Sequence, residues 1–155
     1  MIAMRAEVIV NGISGKAVSD FMLNCTNEDY QNWWPGTHLS FYTTIRFPDD
    51  LGNLVHFDEY VGRRRLKFDG VVVKNVPGKE LIWQMKKVVR VPAWLALEFD
   101  DSDDRVVITH TLRVGFTGIG RLLDPIWRLY LSKSFEKDME EHACTEFTKL
   151  VTILS

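Results

Sequence analysis

Four residues of types that hold metals lie far apart along the chain: His38, Glu59, His142 and Glu146. Two neutral imidazoles and two carboxylates make a ligand set suited to zinc, or else to manganese or iron. His142 and Glu146 are four residues apart, so on a helix they point the same way. The plainer reading of that pair is an exposed His–Glu contact of little energetic worth. Glu59 breaks a pattern: Val55, Phe57, Glu59 and Val61 share one face of Leu54–Val61, and His56, Asp58 and Tyr60 share the other. An unpaired carboxylate on so apolar a face would cost several kcal/mol, unless it reaches water at a strand edge or pairs with an arginine. His38 opens a strand just past Pro35-Gly36, where strict alternation sets it opposite Leu39 and Phe41. A bulge or bend at the strand start would redirect it.

His110 shares a face with Val106, Ile108, Leu112, Val114 and Phe116. A lone histidine there is more often a hydrogen-bonded core residue than a ligand, but it is the candidate for proton transfer. Tyr60 is the alternative, although parity puts it on the outer face.

The elements that must bring these residues together follow from periodicity. Arg5–Asn11 alternates as a half-buried strand ended by Gly12 and Gly15. Val18, Phe21 and Met22 then recur at helical spacing. A second short helix starts near Thr26, an N-cap with Asp29 three residues on, and stops at Pro35-Gly36. His38–Phe47, Leu54–Val61, Leu66–Val76, Leu81–Val88, Trp94–Phe99 and Arg105–Phe116 read as six strands. Turn residues such as Pro77-Gly78-Lys79 and Asp100–Asp104 separate them, so an antiparallel meander is expected. After Gly120 the stripe Trp127, Leu131, Phe135, Met139, Ala143, Phe147, Val151 steps by four and predicts one long helix laid on the sheet. The expected class is α+β: a curved antiparallel sheet of about seven strands around a long C-terminal helix, with two short helices between strands 1 and 2. A curved sheet cannot pack flush along a whole helix, and 12% aromatic residues suit a lined pocket.

The chain of 155 residues reads as a single ligand-binding domain, 1–155, without repeats or linkers. Its net charge of −2 shows no footprint for nucleic acid or anionic lipid, so no nucleic-acid partner is expected. Arg63, Arg64 and Arg65 read as a surface strand junction; they are the only support for a domain acting through a partner surface. The first residues lack the apolar region of a signal peptide, and no run is long enough for a membrane span. Cys25 and Cys144 form no metal or redox spacing. A reduced, cytoplasmic protein is expected, with a homodimer left open as its assembly.

The element order resembles the START-like or Bet v 1-like helix-grip superfamily, which includes polyketide cyclases and lipid-transfer proteins. That resemblance implies a cavity between sheet and helix for hydrophobic small molecules. Tyr30-x-x-Trp33-Trp34-Pro35-x-x-His38, Glu59-Tyr-Val-Gly62 and His142-x-x-x-Glu146 followed by Leu150 look like the diacetylphloroglucinol hydrolase family. That metal-dependent branch cleaves a carbon–carbon bond between an acyl group and an aromatic ring. The resemblance implies that His38, Glu59, His142 and Glu146 hold the metal; this chain is short for the family and has no room for its extra N-terminal part.

The expected function is to bind a hydrophobic or aromatic molecule and, as a metal-dependent hydrolase, to cleave an acyl-aromatic or polyketide-like compound. With four protein ligands, an open position means a five-coordinate centre or a ligand that dissociates. His110 would assist proton transfer, and Phe57, Trp83, Phe116 and Met139 would line the ligand pocket. The alternatives are a non-catalytic lipid or aromatic-metabolite carrier without cofactor, and a metal-free cyclase or dehydratase using His110 and Glu59 as acid and base.

Overall fold

Strand β1, Ile2–Asn11, buries Met4, Ala6, Val8 and Val10 and turns the residues between them outward. This is the alternation of a strand with one face on a core. The computed structural model describes residues 1–155. Helix α1, Gly15–Asn24, is capped by Ser14, whose hydroxyl accepts the Ala17 N–H at 3.1 Å. Helix α2, Asn27–Trp33, starts in a capping box: Thr26 Oγ1 accepts the Asp29 N–H, and the Asp29 carboxylate accepts the Thr26 N–H, both at 3.1 Å.

Six strands follow: β2 His38–Ile45, β3 Leu54–Val61, β4 Arg64–Val76, β5 Glu80–Lys86, β6 Arg90–Ser102 and β7 Arg105–Val114. With β1 they form one antiparallel sheet in the order β1-β7-β6-β5-β4-β3-β2. Only β3 keeps both ends of the sequence reading; β1 starts earlier, at Ile2, β4 at Arg64 and β6 at Arg90, while β5 ends at Lys86 and β7 at Val114. β2 stops at Ile45, and Phe47 is exposed beyond it. β6 runs well past Trp94–Phe99, because pairing with β7 continues through Asp101↔Val106 and Ser102↔Arg105.

The C-terminal stripe is divided rather than continuous. A 3₁₀ turn at Gly118–Leu123 leads into α3, Asp124–Tyr130, and α4 runs from Lys133 to Leu154. The break falls at Ser132, whose extended backbone lets its hydroxyl cap α4 by accepting the Phe135 N–H at 3.3 Å. Side chains spaced by four carry the apolar pattern across this break, so spacing alone does not register it.

Helix α4 packs against β1 at one edge of the sheet and reaches β3 near the other. Five strand spacings would put those strands about 24 Å apart in a flat sheet, so the sheet is curled around the helix. The core falls into two apolar groups along α4. Phe135 and Met139 join Met4, Val61 and Leu112; Ala143, Phe147 and Leu150 join a larger group with Phe41, Phe57, Trp83 and Ile108. His142 and Glu146 lie at the seam between them, both buried. No helix is long and apolar enough to cross a membrane.

Candidate metal centre

The four candidate ligands come from three elements that only the folded chain brings together. Glu59 points inward from β3, as alternation requires, and His142 and Glu146 point from one side of α4. His38 joins them through an irregularity. The register passes from His38↔Glu59 to Ser40↔Asp58, skipping Leu39, so His38 and Phe41 both face the interior. His38 is only 1% exposed.

Its Nε2 lies 3.2 Å from Glu146 Oε1 and 3.7 Å from Glu59 Oε2. His142 Nε2 lies 3.2 Å from Glu59 Oε2 and 3.8 Å from Glu146 Oε2. One donor atom from each of the four lies within 4.8 Å of all the others. Four ligands held tetrahedrally by one ion would be about 3.4 Å apart, so the cluster has the spread of a slightly open tetrahedron.

The His38 ring supplies the decisive detail. Its Nδ1 is 3.1 Å from the Tyr30 carbonyl oxygen. A carbonyl only accepts, so Nδ1 carries the proton and Nε2 is the bare nitrogen. That Nε2 is buried, aimed at two carboxylates, and has no hydrogen-bond partner; its 3.2 Å approach to Glu146 is misdirected for one. A lone pair facing carboxylate oxygens in a dry site is unfavourable without a cation between them. The residues therefore fit a divalent metal.

Aromatic side chains of α2, and Trp34 just after it, hold the ligands. The Tyr30 ring stacks on His38 with centroids 3.9 Å apart, and its hydroxyl donates to Glu59 Oε2 at 2.9 Å. The Trp33 indole N–H donates to the Glu146 carbonyl at 2.7 Å, and Trp34 stacks on His142 at 4.9 Å. Sequence reasoning gave none of these three a role at the site. The available signal was Tyr30 and Trp33, three apart on one helix face and just ahead of His38.

Burial and neighbouring charge set the protonation preferences. Burial pushes the Tyr30 hydroxyl well above its ordinary range, and Glu59 and Glu146 add to this, so it stays a donor. Burial opposes charge on His142, but the hydrogen bond to Glu59 and the fields of Glu146 and Glu59 outweigh it and raise its pKa. Burial also opposes charge on Glu146, yet the field of His142 helps to leave its pKa below the usual value. His110 is held neutral chiefly by burial, against the pull of Glu146 and Glu59.

Two spaces adjoin the cluster, and a third lies beyond them. On its inner side is a chamber of about 20 Å³ lined by Phe57, Glu59, Trp83, His110 and Glu146 among others. On its solvent side an open hollow of about 270 Å³, bordered by Trp34, Asp138, Glu141 and His142, gives ions and water a route in. Further along the sheet, an apolar cleft of about 550 Å³ lies between Leu66, Phe68, Met85 and Leu112 on the strands and Trp127 of α3, Leu131 just after it and Phe135 of α4. Phe57 on the chamber side stacks against Phe68 on the cleft side, 4.8 Å apart and within 11° of parallel.

Of the pocket residues expected from sequence, Phe57 and Trp83 line the chamber. Met139 is packed beside Met4, Ala6 and His110 and lines neither chamber nor cleft. Phe116 leaves the sheet altogether. Gly115, with φ of 145° and Met1 backbone 2.7 Å from where a Cβ would sit, turns the chain away after β7. Phe116 then packs under Gly120 and donates its N–H to Asp124. Tyr60 is exposed and borders the solvent-side hollow.

No protein-family model matches the sequence, and no curated protein matches it. Solved structures do. A START superfamily protein from Mycobacterium smegmatis matches with a TM-score of 0.65 at 13% identity, covering 99% of this chain and 98% of that one. The ginseng major latex-like protein 151 from Panax ginseng matches with a TM-score of 0.54 at 11% identity, covering 92% and 98%. The Aha1 dimer from Colwellia psychrerythraea matches with a TM-score of 0.53 at 12% identity, covering 96% and 99%. Identities this low speak for the fold alone, and that fold is the START/Bet v 1-like helix grip.

Proposed function

We propose that the protein binds a hydrophobic or aromatic small molecule between sheet and helix and, as a metal-dependent hydrolase, cleaves an acyl-aromatic or polyketide-like compound. His38, Glu59, His142 and Glu146 would hold the metal, zinc before manganese or iron. The observation that carries this reading is the buried, unpartnered His38 Nε2 facing two carboxylates. When bound, such an ion polarises a carbonyl and brings the pKa of a coordinated water towards ~7.

The chain's own residues would do the rest. Tyr30 holds Glu59 by its hydroxyl and His38 by its carbonyl, which keeps both donors aimed at one point. His110, neutral and beside the chamber with Glu59 and Glu146, is placed to take up or pass on a proton. Phe68, Trp127 and Phe135, which line the cleft, would hold a flat apolar body.

A carrier without chemistry is the second reading, and one observation favours it. The chamber at the cluster has room for about one water, while the larger cleft lies beyond the Phe57–Phe68 stack. In that case Glu59 and His142, 3.2 Å apart, serve as an internal ion pair.

Elemental analysis of protein prepared without chelators separates the two. Near-stoichiometric zinc, manganese or iron that disappears in His142→Ala supports the metal reading and directs a screen of acyl-aromatic compounds. Absence of metal after incubation with each ion sinks the four-ligand site and leaves the carrier.

A further inference from the structure

The mouth of the 550 Å³ cleft has two lips. One is the hairpin between β5 and β6, whose Lys86 and Lys87 border the cleft; the other is the 3₁₀ turn and α3, which contribute Trp127 and Tyr130. Each lip turns aliphatic side chains to the solvent. Val88 is 93% exposed and Val89 68%; Ile119 is 87% exposed, Leu122 80%, Ile126 64% and Leu129 84%. Single exposed apolar residues need no explanation, but six on two adjoining segments form a patch that does.

Charge says what covers it. Lys86, Lys87 and Arg90 stand on the hairpin, and Arg121, Arg128 and Lys133 on and just after the second lip. None of these six makes an ion pair. Between Thr117 and Lys133 the only acidic residue is Asp124, which is tied to the Met1 amine at 3.0 Å. The net charge of −2 for the chain hides this local excess of cations. Aliphatic side chains ringed by unpaired cations complement an anionic bilayer: the former enter the acyl boundary while the latter meet lipid phosphates.

We infer that these two lips dock the protein on an anionic lipid bilayer, with the cleft mouth facing the membrane. A ligand would then pass between acyl chains and cleft without crossing water. The inference stands apart from the metal reading, since none of these residues touches the four-ligand cluster.

Vesicle flotation tests it with the full chain. Vesicles of phosphatidylcholine containing about a third phosphatidylglycerol, anionic enough for a surface potential of tens of millivolts, should carry the protein upward, and phosphatidylcholine alone should not. Removing one cation, as in Arg128→Gln, should weaken binding about fivefold at low salt. Val88→Glu and Leu129→Glu should each weaken it at least tenfold and leave melting temperature and far-ultraviolet circular dichroism unchanged, because neither side chain supports the core. Failure to float with anionic vesicles, or flotation indifferent to both glutamates, would overturn the proposal. So would a dimer in sedimentation that both glutamates dissolve, which would assign the face to a second copy of the chain.

Discussion

The rings of Tyr30 and His38 lie parallel, 3.9 Å apart, and the Tyr30 carbonyl accepts a hydrogen bond from His38 Nδ1–H. The same tyrosine donates its hydroxyl to Glu59, so one residue of a short helix aims two of the four donors. Tyr30→Phe keeps the stack and removes only the hydroxyl. It should lower zinc affinity 10- to 100-fold, the usual cost of losing an outer partner of a ligand, and leave the fold intact. Competition against a chromophoric chelator measures this; unchanged affinity would make the hydroxyl purely structural.

Metal and stability are linked. Zinc present at a hundred times its dissociation constant should stabilise the folded state by about 2.7 kcal/mol, which is a rise in melting temperature of roughly 5–10 °C for a chain of this size. Glu59→Gln distinguishes ligand from ion-pair partner. A ligand role predicts that the zinc-induced rise collapses. An ion-pair role predicts a lower melting temperature without zinc and an undiminished rise with it.

Thr26 lies outside the cluster but starts the helix that carries Tyr30 and Trp33. Thr26→Ala removes the acceptor for the Asp29 N–H, and helix caps of this kind contribute about 1 kcal/mol. A fall in melting temperature of about 2–4 °C is expected. Weaker zinc binding should accompany it, since α2 is then held less firmly against His38. A stability loss with zinc affinity unchanged would show that the packing of Tyr30 and Trp33 alone keeps the helix in register.

The two cysteines should behave oppositely. Cys144 is exposed and should react with a thiol reagent in the native protein at pH 8. Cys25 is buried, and its thiol is pushed up to about 12, first by burial and then by Asp29. It should react only after denaturation, giving one titratable thiol before guanidinium and two after. The folded pKa exceeds the unfolded one, so the neutral thiol favours the folded state below about pH 9. That contribution fades as pH rises towards 12. Cys25→Ala should flatten this part of the alkaline stability profile.

Much of the architecture was legible because periodicity responds to burial. Leu54–Val61 reads from alternation alone with the ends that the structure has, and Thr26 with Asp29 marks the start of α2. The residue types of the cluster were legible too, since Glu59 on a greasy face is a broken local rule. The direction of His38 was not, because alternation assumes regular pairing and the skipped residue Leu39 adds half a period. The division between α3 and α4 was hidden by a pattern that continues across it, although Ser132 ahead of Lys133, with Glu136 in the first turn, carried the signal of a helix start. The roles of Tyr30 and Trp34 depend on where α2 is laid, which no local pattern states. Phe116 went astray because a glycine before it redirects the backbone.

The wall between chamber and cleft is a single pair of parallel rings, Phe57 and Phe68, and only Phe57 is fully buried. Joining the two spaces therefore asks both rings to turn aside, and the half-buried Phe68 is the freer of the two. The opening left by a phenyl ring is a slot, broad in two dimensions and one ring thick. A visitor taking that route to the cluster would be sorted by flatness before any polar group is consulted.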